Sequence, residues 1–266
     1  GKGEPRKFPN FEFMNLPPDQ VYCVKQVADY NWVQDVEGTM DSAHVSMLHK
    51  SWSAGTPMAA IGDDPAPLYE FEERPTGFRY AAIRNTRTGG KYIRINEFAL
   101  PWYGFICPAG SEDGDRQVIM SAPIDDTHVI HWELKYNTHR PLLPSFQNPA
   151  EDRNNFPPGV VGGRENRWGQ DRGEMRRGHF TGFYHVNTED FAVATSQGPI
   201  VDRTVEYLNS GDLAVVRVRK MLLDLVDAAA AKGGPDIFPH DAVVWENVRA
   251  HVQFTDDASN WRHAAE

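Results

Sequence analysis

Apolar and polar positions change their rhythm several times along this chain, and the changes mark out its elements. Val21–Val27 reads as a short strand. Asp29–His49 follows as a helix with Asp29 as its N-cap. From Leu68 to Tyr136 the texture is that of strands. Gly77–Arg84 and Lys91–Leu100 flank the hairpin-type connection Asn85-Thr-Arg-Thr-Gly-Gly, and Gln117–Ala122 and His128–Tyr136 form a further antiparallel pair. A helix runs from about Gly211 to Ala231, with Ser210 as N-cap and Gly233-Gly234 as its stop. Leu213, Val216, Val218, Met221, Leu222, Leu225, Val226 and Ala229 give it a broad apolar face suited to lying on a sheet.

The sum is an α+β fold, a twisted antiparallel sheet with its helices segregated to one side. Residues 1–20 carry four prolines with Phe8, Phe11 and Phe13 between them, and read as an extended lead-in lying on a surface. Residues 139–175 have little apolar periodicity. So long a loop in a compact domain is usually a lid, a binding loop or mobile, and Glu151–Arg177 is equally suited to covering a pocket or to packing on a neighbouring subunit.

Composition narrows the function classes. The chain has 266 residues, 40% hydrophobic and 24% charged, as in a soluble globular protein. Its net charge of -10 argues against nucleic acid and anionic membranes as partners, since both reward a basic face. No apolar run approaches the ~20 residues that cross a bilayer, and Gly1–Pro9 has no signal-peptide core, so a cytoplasmic location is expected. Cys23 and Cys107 alone cannot hold an iron–sulfur cluster. No phosphate loop, dinucleotide fingerprint, nucleophile elbow or zinc cysteine pattern occurs.

Asp41-Ser-Ala-His44-Val-Ser-Met-Leu-His49 carries the candidate chemistry. Two imidazoles plus one distant carboxylate make the facial triad of non-haem Fe(II), which leaves positions open for O2. Asp41 and His44, three apart, share a helix face. His44 and His49, five apart, would diverge by roughly 140° on a regular helix, so a shared metal requires the helix to break or bulge between them. The spacing alone also fits two structural histidines.

The surrounding residues sharpen this. Asn31-Trp-Val-Gln-Asp-Val-Glu-Gly38-Thr-Met-Asp41-Ser-Ala-His44-Val-Ser-Met-Leu-His49 resembles the iron-binding segment of Rieske-type non-haem iron aromatic-ring oxygenases. Glu189-Asp190-Phe-Ala-Val-Ala-Thr-Ser-Gln-Gly-Pro-Ile-Val-Asp202-Arg203-Thr-Val-Glu206 is similar to that family's segment bearing the carboxylate ligand and leading into the last long helix. Pro123-Ile-Asp-Asp-Thr127 and Met175-Arg-Arg-Gly-His-Phe-Thr-Gly182 resemble its phthalate-dioxygenase-like branch. The likeness runs over nearly the whole chain.

The resemblance implies a helix-grip (START-like) fold and an oxygenase alpha-subunit catalytic domain over residues 21–266. It makes His44, His49 and Asp190 the iron ligands, with Glu189 the nearest competitor of Asp190, and Asp41 a catalytic bridging carboxylate that would orient a metal-bound imidazole. It implies mononuclear Fe(II), O2, an aromatic substrate, electrons from NAD(P)H through a reductase or ferredoxin, and a homotrimer. The family's Cys-x-His and Cys-x-x-His pairs, which hold its [2Fe-2S] Rieske cluster, are absent from this sequence, so residues 1–20 are expected to be the linker from a preceding cluster domain. Ring dihydroxylation and monooxygenation, including O-demethylation, both fit. Arg84 and Arg94 are candidate grips for a substrate carboxylate, because guanidinium matches carboxylate bidentately; Arg on an exposed strand face is the commoner case. Phe98, Trp102, Tyr103 and Phe105 suit core or an aromatic pocket. His128 and His131, at odd spacing on a strand, point to opposite faces and read as structural. The rival from another class is a metal-free helix-grip protein that binds a hydrophobic ligand.

Overall fold

Eight strands account for most of the molecule: β1 (Val21–Ala28), β2 (Leu68–Arg74), β3 (Gly77–Asn85), β4 (Lys91–Ala99), β5 (Tyr103–Ile106), β6 (Arg116–Pro123), β7 (Val129–Tyr136) and β8 (His251–Thr255). The computed structural model describes residues 8–143, 163–232 and 243–263. Every pairing is antiparallel, in the order β1-β7-β6-β5-β4-β3-β2, and β8 joins β4. β4 changes neighbour along its length, with Lys91–Ile95 paired to β8 and Glu97–Ala99 to β5. The two expected strand pairs are present within a residue or two of the predicted ends.

β3 and β4 are buried along almost their entire length because both faces of the sheet are covered there. On one side Phe78, Tyr80 and Phe98 pack against Val36 and Met40 of α1 (Trp32–Met40) and against Ala214 and Val218. The other side packs Ala81, Ile83, Ile93 and Ile95 against Trp261. Gly104 of β5 sets how closely α1 lies: a Cβ there would come within 2.3 Å of Thr39 Cγ2. α1 is also pinned by a buried polar cluster. Asp35 accepts hydrogen bonds from Tyr30 (2.8 Å), Ser121 (2.6 Å) and His131 Nδ1 (2.9 Å). Burial opposes the Asp35 charge, but His131 and the hydroxyls outweigh it and hold the carboxyl below its usual range. His131 therefore has a structural role, as read from the sequence, while His128 sits toward solvent against Asp125.

Three expectations are corrected. The helix read as continuous from Asp29 begins after Asn31, whose side chain accepts from Val33 N at 2.9 Å. Asn31 itself is extended (ψ 138°) and its N–H donates to the Pro199 carbonyl at 2.8 Å, so the helix begins only after it. Phe11 and Phe13 do not lie on the surface. They are buried in the cluster with Tyr136 and Trp245, stacked on each other at 5.2 Å. The C-terminal helix α6 (Leu213–Lys232) starts one short 3-10 turn later than expected, with Asn209 and not Ser210 as the cap of that turn. It buries only part of its apolar face: Ala214, Val215 and Val218 are covered, whereas Leu213, Val216 and Val226 stay exposed. Its expected Gly233-Gly234 stop lies outside the described residues, as does most of the loop read at 139–175.

Glu97 of β4 is the least comfortable group in the sheet. It is 1% exposed, Thr76 donates to Oε1 at 3.3 Å, Arg74 approaches to 3.7 Å, and Oε2 has no partner. Burial pushes its carboxyl up to about 7 despite the nearby arginines. Among the described residues no helix is long and apolar enough to cross a membrane.

Candidate metal centre

The segment that read as one helix is three. α1 ends at Met40, α2 spans His44–Met47 and α3 spans Lys50–Ser53. The first break is made by Asp41, whose backbone is extended (ψ 108°) and whose carboxylate turns back to accept from Ala43 N (2.8 Å) and His44 N (3.2 Å). A short acid that caps the following amides offers the backbone an alternative to continuing α1. The second break falls at His49, which leaves the helical region (φ -91°, ψ 20°) while its carbonyl starts the next turn. Two interruptions thus bring together rings that a regular helix would splay apart. The imidazoles of His44 and His49 lie 5.1 Å apart at 80°.

Past the short helix α4 (Arg172–Arg176), the carboxylates come from α5 (Val186–Ser196). His185 caps this helix by accepting from Asn187 N, and Phe191 and Ala192 are buried on it. Asn187 donates to Glu133 of β7 at 2.6 Å, which fixes the start of the helix on the sheet. Glu189 and Asp190 are successive, so their side chains leave α5 about 100° apart and meet different parts of the histidines. Asp190 Oδ1 lies 3.1 Å from His49 Nε2 and 3.6 Å from His44 Nε2. Glu189, fully buried, accepts from His49 Nδ1 at 2.6 Å and from the Thr181 hydroxyl. Asp41 faces His44 Nδ1 at 3.4 Å. Both imidazoles therefore turn Nε2 toward one point beside Asp190 and Nδ1 toward a separate carboxylate.

His44, His49 and Asp190 are the one group of three or more His, Cys, Asp or Glu among the described residues whose donor atoms all lie within 4.8 Å of one another. Two imidazoles and one carboxylate on one side of a point is a donor set suited to a first-row divalent ion with coordination positions to spare. Burial opposes charge on His49, yet Asp190 and Glu189 outweigh it and raise its pKa to about 9. Burial likewise opposes charge on Asp41, but His44 and two backbone amides hold it below the usual carboxylate range.

The structure also places the two arginines. Arg84 is fully buried and its donors are engaged, Nε by the Asp64 carbonyl (3.1 Å) and the two terminal nitrogens by Ser42 (3.3 and 2.7 Å). It thereby ties β3 to the turn between Asp41 and His44. Arg94, equally buried beside Tyr92 and Cys107, keeps an unpartnered Nε. Phe98 and Phe105 belong to the core. An apolar cavity of about 280 Å³ opens beside His49, lined among others by Trp52, Met58, Ala109 and Val186. Sequence reasoning missed the roles of Glu189, Thr181 and Asp35. Only for Glu189 was there a signal, an acid next to the expected ligand.

Comparison with known proteins identifies the family. The family model described as LigXa C-terminal domain like matches residues 2–266. The phthalate 4,5-dioxygenase oxygenase subunit of Pseudomonas putida is 32% identical, aligned over 80% of this chain and 52% of its own length. The 3-chlorobenzoate-3,4-dioxygenase oxygenase subunit of Comamonas testosteroni is 26% identical, over 98% of this chain and 65% of its own. The chain thus spans between half and two thirds of these relatives. In fold it is similar to Pseudomonas putida CBB5 NdmB, with a TM-score of 0.52 at 14% identity, over 93% of this chain and 60% of that one. With the family model running from the second residue to the last, the chain belongs to the LigXa C-terminal domain-like family of Rieske-type oxygenase catalytic domains.

Proposed function

We propose that this chain is the catalytic part of an oxygenase that holds mononuclear Fe(II) through His44, His49 and Asp190 and oxidises an aromatic, carboxylated substrate. The observation that carries the reading is the convergence of both Nε2 atoms on Asp190 Oδ1, at 3.1 and 3.6 Å. Bound there, Fe(II) supplies open positions for O2 activation.

The chain's own residues do the rest. Asp41 and Glu189 hold the two Nδ1 atoms, so each ring presents Nε2 as a ligand. About a fifth of the Asp41 side chain is exposed, which leaves it within reach for the bridging role toward a [2Fe-2S] cluster of a neighbouring subunit. The apolar cavity beside His49 exceeds the ~150 Å³ that takes up benzene, and so has room for one substituted ring. Arg94, with its unpartnered Nε, and the Arg84 charge beside it are the candidate grips for a substrate carboxylate, and both are buried and are not among the residues that line this cavity. Electrons come from NAD(P)H through a reductase or ferredoxin and a Rieske cluster, in a homotrimer. Dihydroxylation and O-demethylation remain two outcomes of one site.

Elemental analysis and EPR of the nitric oxide adduct test the reading. Stoichiometric iron with a high-spin nitrosyl signal is expected. A metal-free protein that binds an aromatic ligand equally well with and without added Fe(II) would decide for a carrier.

A further inference from the structure

Asp41 comes with the sequence motif, but nothing in the motif provides for the second imidazole. His49 has its own arrangement. Its Nδ1 donates to Glu189 Oε2 at 2.6 Å, and Glu189 is fully buried. The other oxygen, Oε1, accepts from Thr181. Both oxygens of the carboxylate are therefore held, one by the ring it orients and one by a lock from a separate segment.

That segment is itself clamped to the residues following His49. Phe180 N donates to Ser51 Oγ at 2.7 Å, and His179 packs edge-on against Trp52 at 5.7 Å. Gly182 N donates to His179 Nδ1 at 2.9 Å, closing the turn on itself. Ser51 and Trp52 lie on α3, which starts from the His49 carbonyl. The loop thus grips α3 from one side and, through Thr181, holds Glu189 from the other, with His49 between.

We infer that Glu189, locked by Thr181, is the positioning residue of His49. It fixes Nδ1 as the protonated nitrogen and sets the plane in which Nε2 meets the metal. Partners of this kind, placed behind a metal-bound imidazole, typically change metal affinity 10–100-fold when removed. This inference rests on the metal-site reading above and adds to it that the His179–Gly182 turn is a working part of the centre. The neighbouring acids then divide the task. Asp190 faces the ligand nitrogens and Glu189 faces the nitrogen behind one of them.

Fe(II) affinity by chelator competition, together with proton NMR of the Co(II)-substituted protein, tests this. In the unaltered protein two slowly exchanging, hyperfine-shifted imidazole N–H signals are expected, one each from His44 and His49. Absence of both, with no metal bound, would reject the metal site itself and so separates that failure from failure of the present inference. Glu189→Ala is expected to lose ~10–100-fold in Fe(II) affinity and the protected His49 signal, while the His44 signal persists. Glu189→Gln, which keeps an acceptor oxygen and the buried volume, is expected to retain that signal and recover most of the affinity. Thr181→Val, with the lock removed, should fall between them.

Unchanged affinity and an unchanged His49 signal in Glu189→Ala would overturn the inference. So would equal losses in the Gln and Ala variants with the signal kept in both, since charge and not orientation would then be the cause. Should Glu189→Ala not fold, Thr181→Val decides: wild-type affinity and exchange rate there would equally overturn it.

Discussion

Glu189 and Glu97 are equally hidden from water, at 0% and 1% exposure, yet they do opposite things to the molecule. Glu189 has a partner on each oxygen and sits against a histidine that it orients. Glu97 is held on one oxygen and orphaned on the other, and burial raises its carboxyl to about 7. Depth alone therefore says little about a buried carboxylate. What decides is whether the fold supplies donors in the same place, because an unsolvated charge is tolerated only when it is paired and hydrogen-bonded.

The largest expected effect comes from the metal side of this contrast. Asp190→Ala or His44→Ala should abolish stoichiometric iron binding while leaving the fold intact. Full occupancy by elemental analysis in either variant would remove the reason to treat Glu189 as part of a metal centre. Arg84 and Arg94 repeat the contrast with the opposite charge. Arg84→Met removes the partner of the Ser42 and Asp64 carbonyls and should cost about 3 to 4 kcal/mol in urea unfolding. Arg94→Met, whose Nε already lacks a partner, should cost visibly less. Equal losses would show that satisfaction is not what separates these pairs.

Glu97 gives the pH arm of the comparison. Its folded-state pKa lies above the ordinary 4.5, so between 4.5 and 7 the folded chain binds a proton that the unfolded chain has released. Its contribution is complete below about 4.5 and is lost as pH rises toward 7. Glu97→Gln should flatten that decline and raise stability at pH 8 by about 2 kcal/mol, somewhat less than the full shift implies, because the attraction to Arg74 goes too. Chemical denaturation at pH 5 and pH 8 checks it; an unaltered pH slope would mean that Glu97 is not the group titrating. The smallest effect belongs to Asn31→Ala, which removes the cap of α1 and should cost about 1 kcal/mol, read as a drop in thermal midpoint.

Local pattern carried much of this into the sequence. His44 and His49 were legible as a pair, and their spacing already required a broken helix. The break itself is written in Asp41, a residue whose side chain competes for the amides that follow it. Less legible was whatever depends on how distant segments rotate against each other. Asp190 could be told from Glu189 only by family register, since the difference is a turn of about 100° around α5. The Asp35–His131 pair joins residues 96 positions apart and leaves no periodic trace. Asn31 does not stand out over Asp29 as the cap, because nothing local announces that its N–H will pair with the Pro199 carbonyl far along the chain. β5 is four residues long and β8 pairs with a strand far earlier in the chain, so neither stands out as a run of alternating positions.

The two histidines lie in the first fifth of the chain and Asp190 on a helix more than half the chain further on. An ion held by all three is therefore a cross-link as well as a reagent. It closes a very long loop, and loop closure restricts the unfolded chain in the manner of a disulfide. Chelation should then be felt first as fraying of α5, with faster amide exchange there than in β3 and β4, before any loss of the sheet.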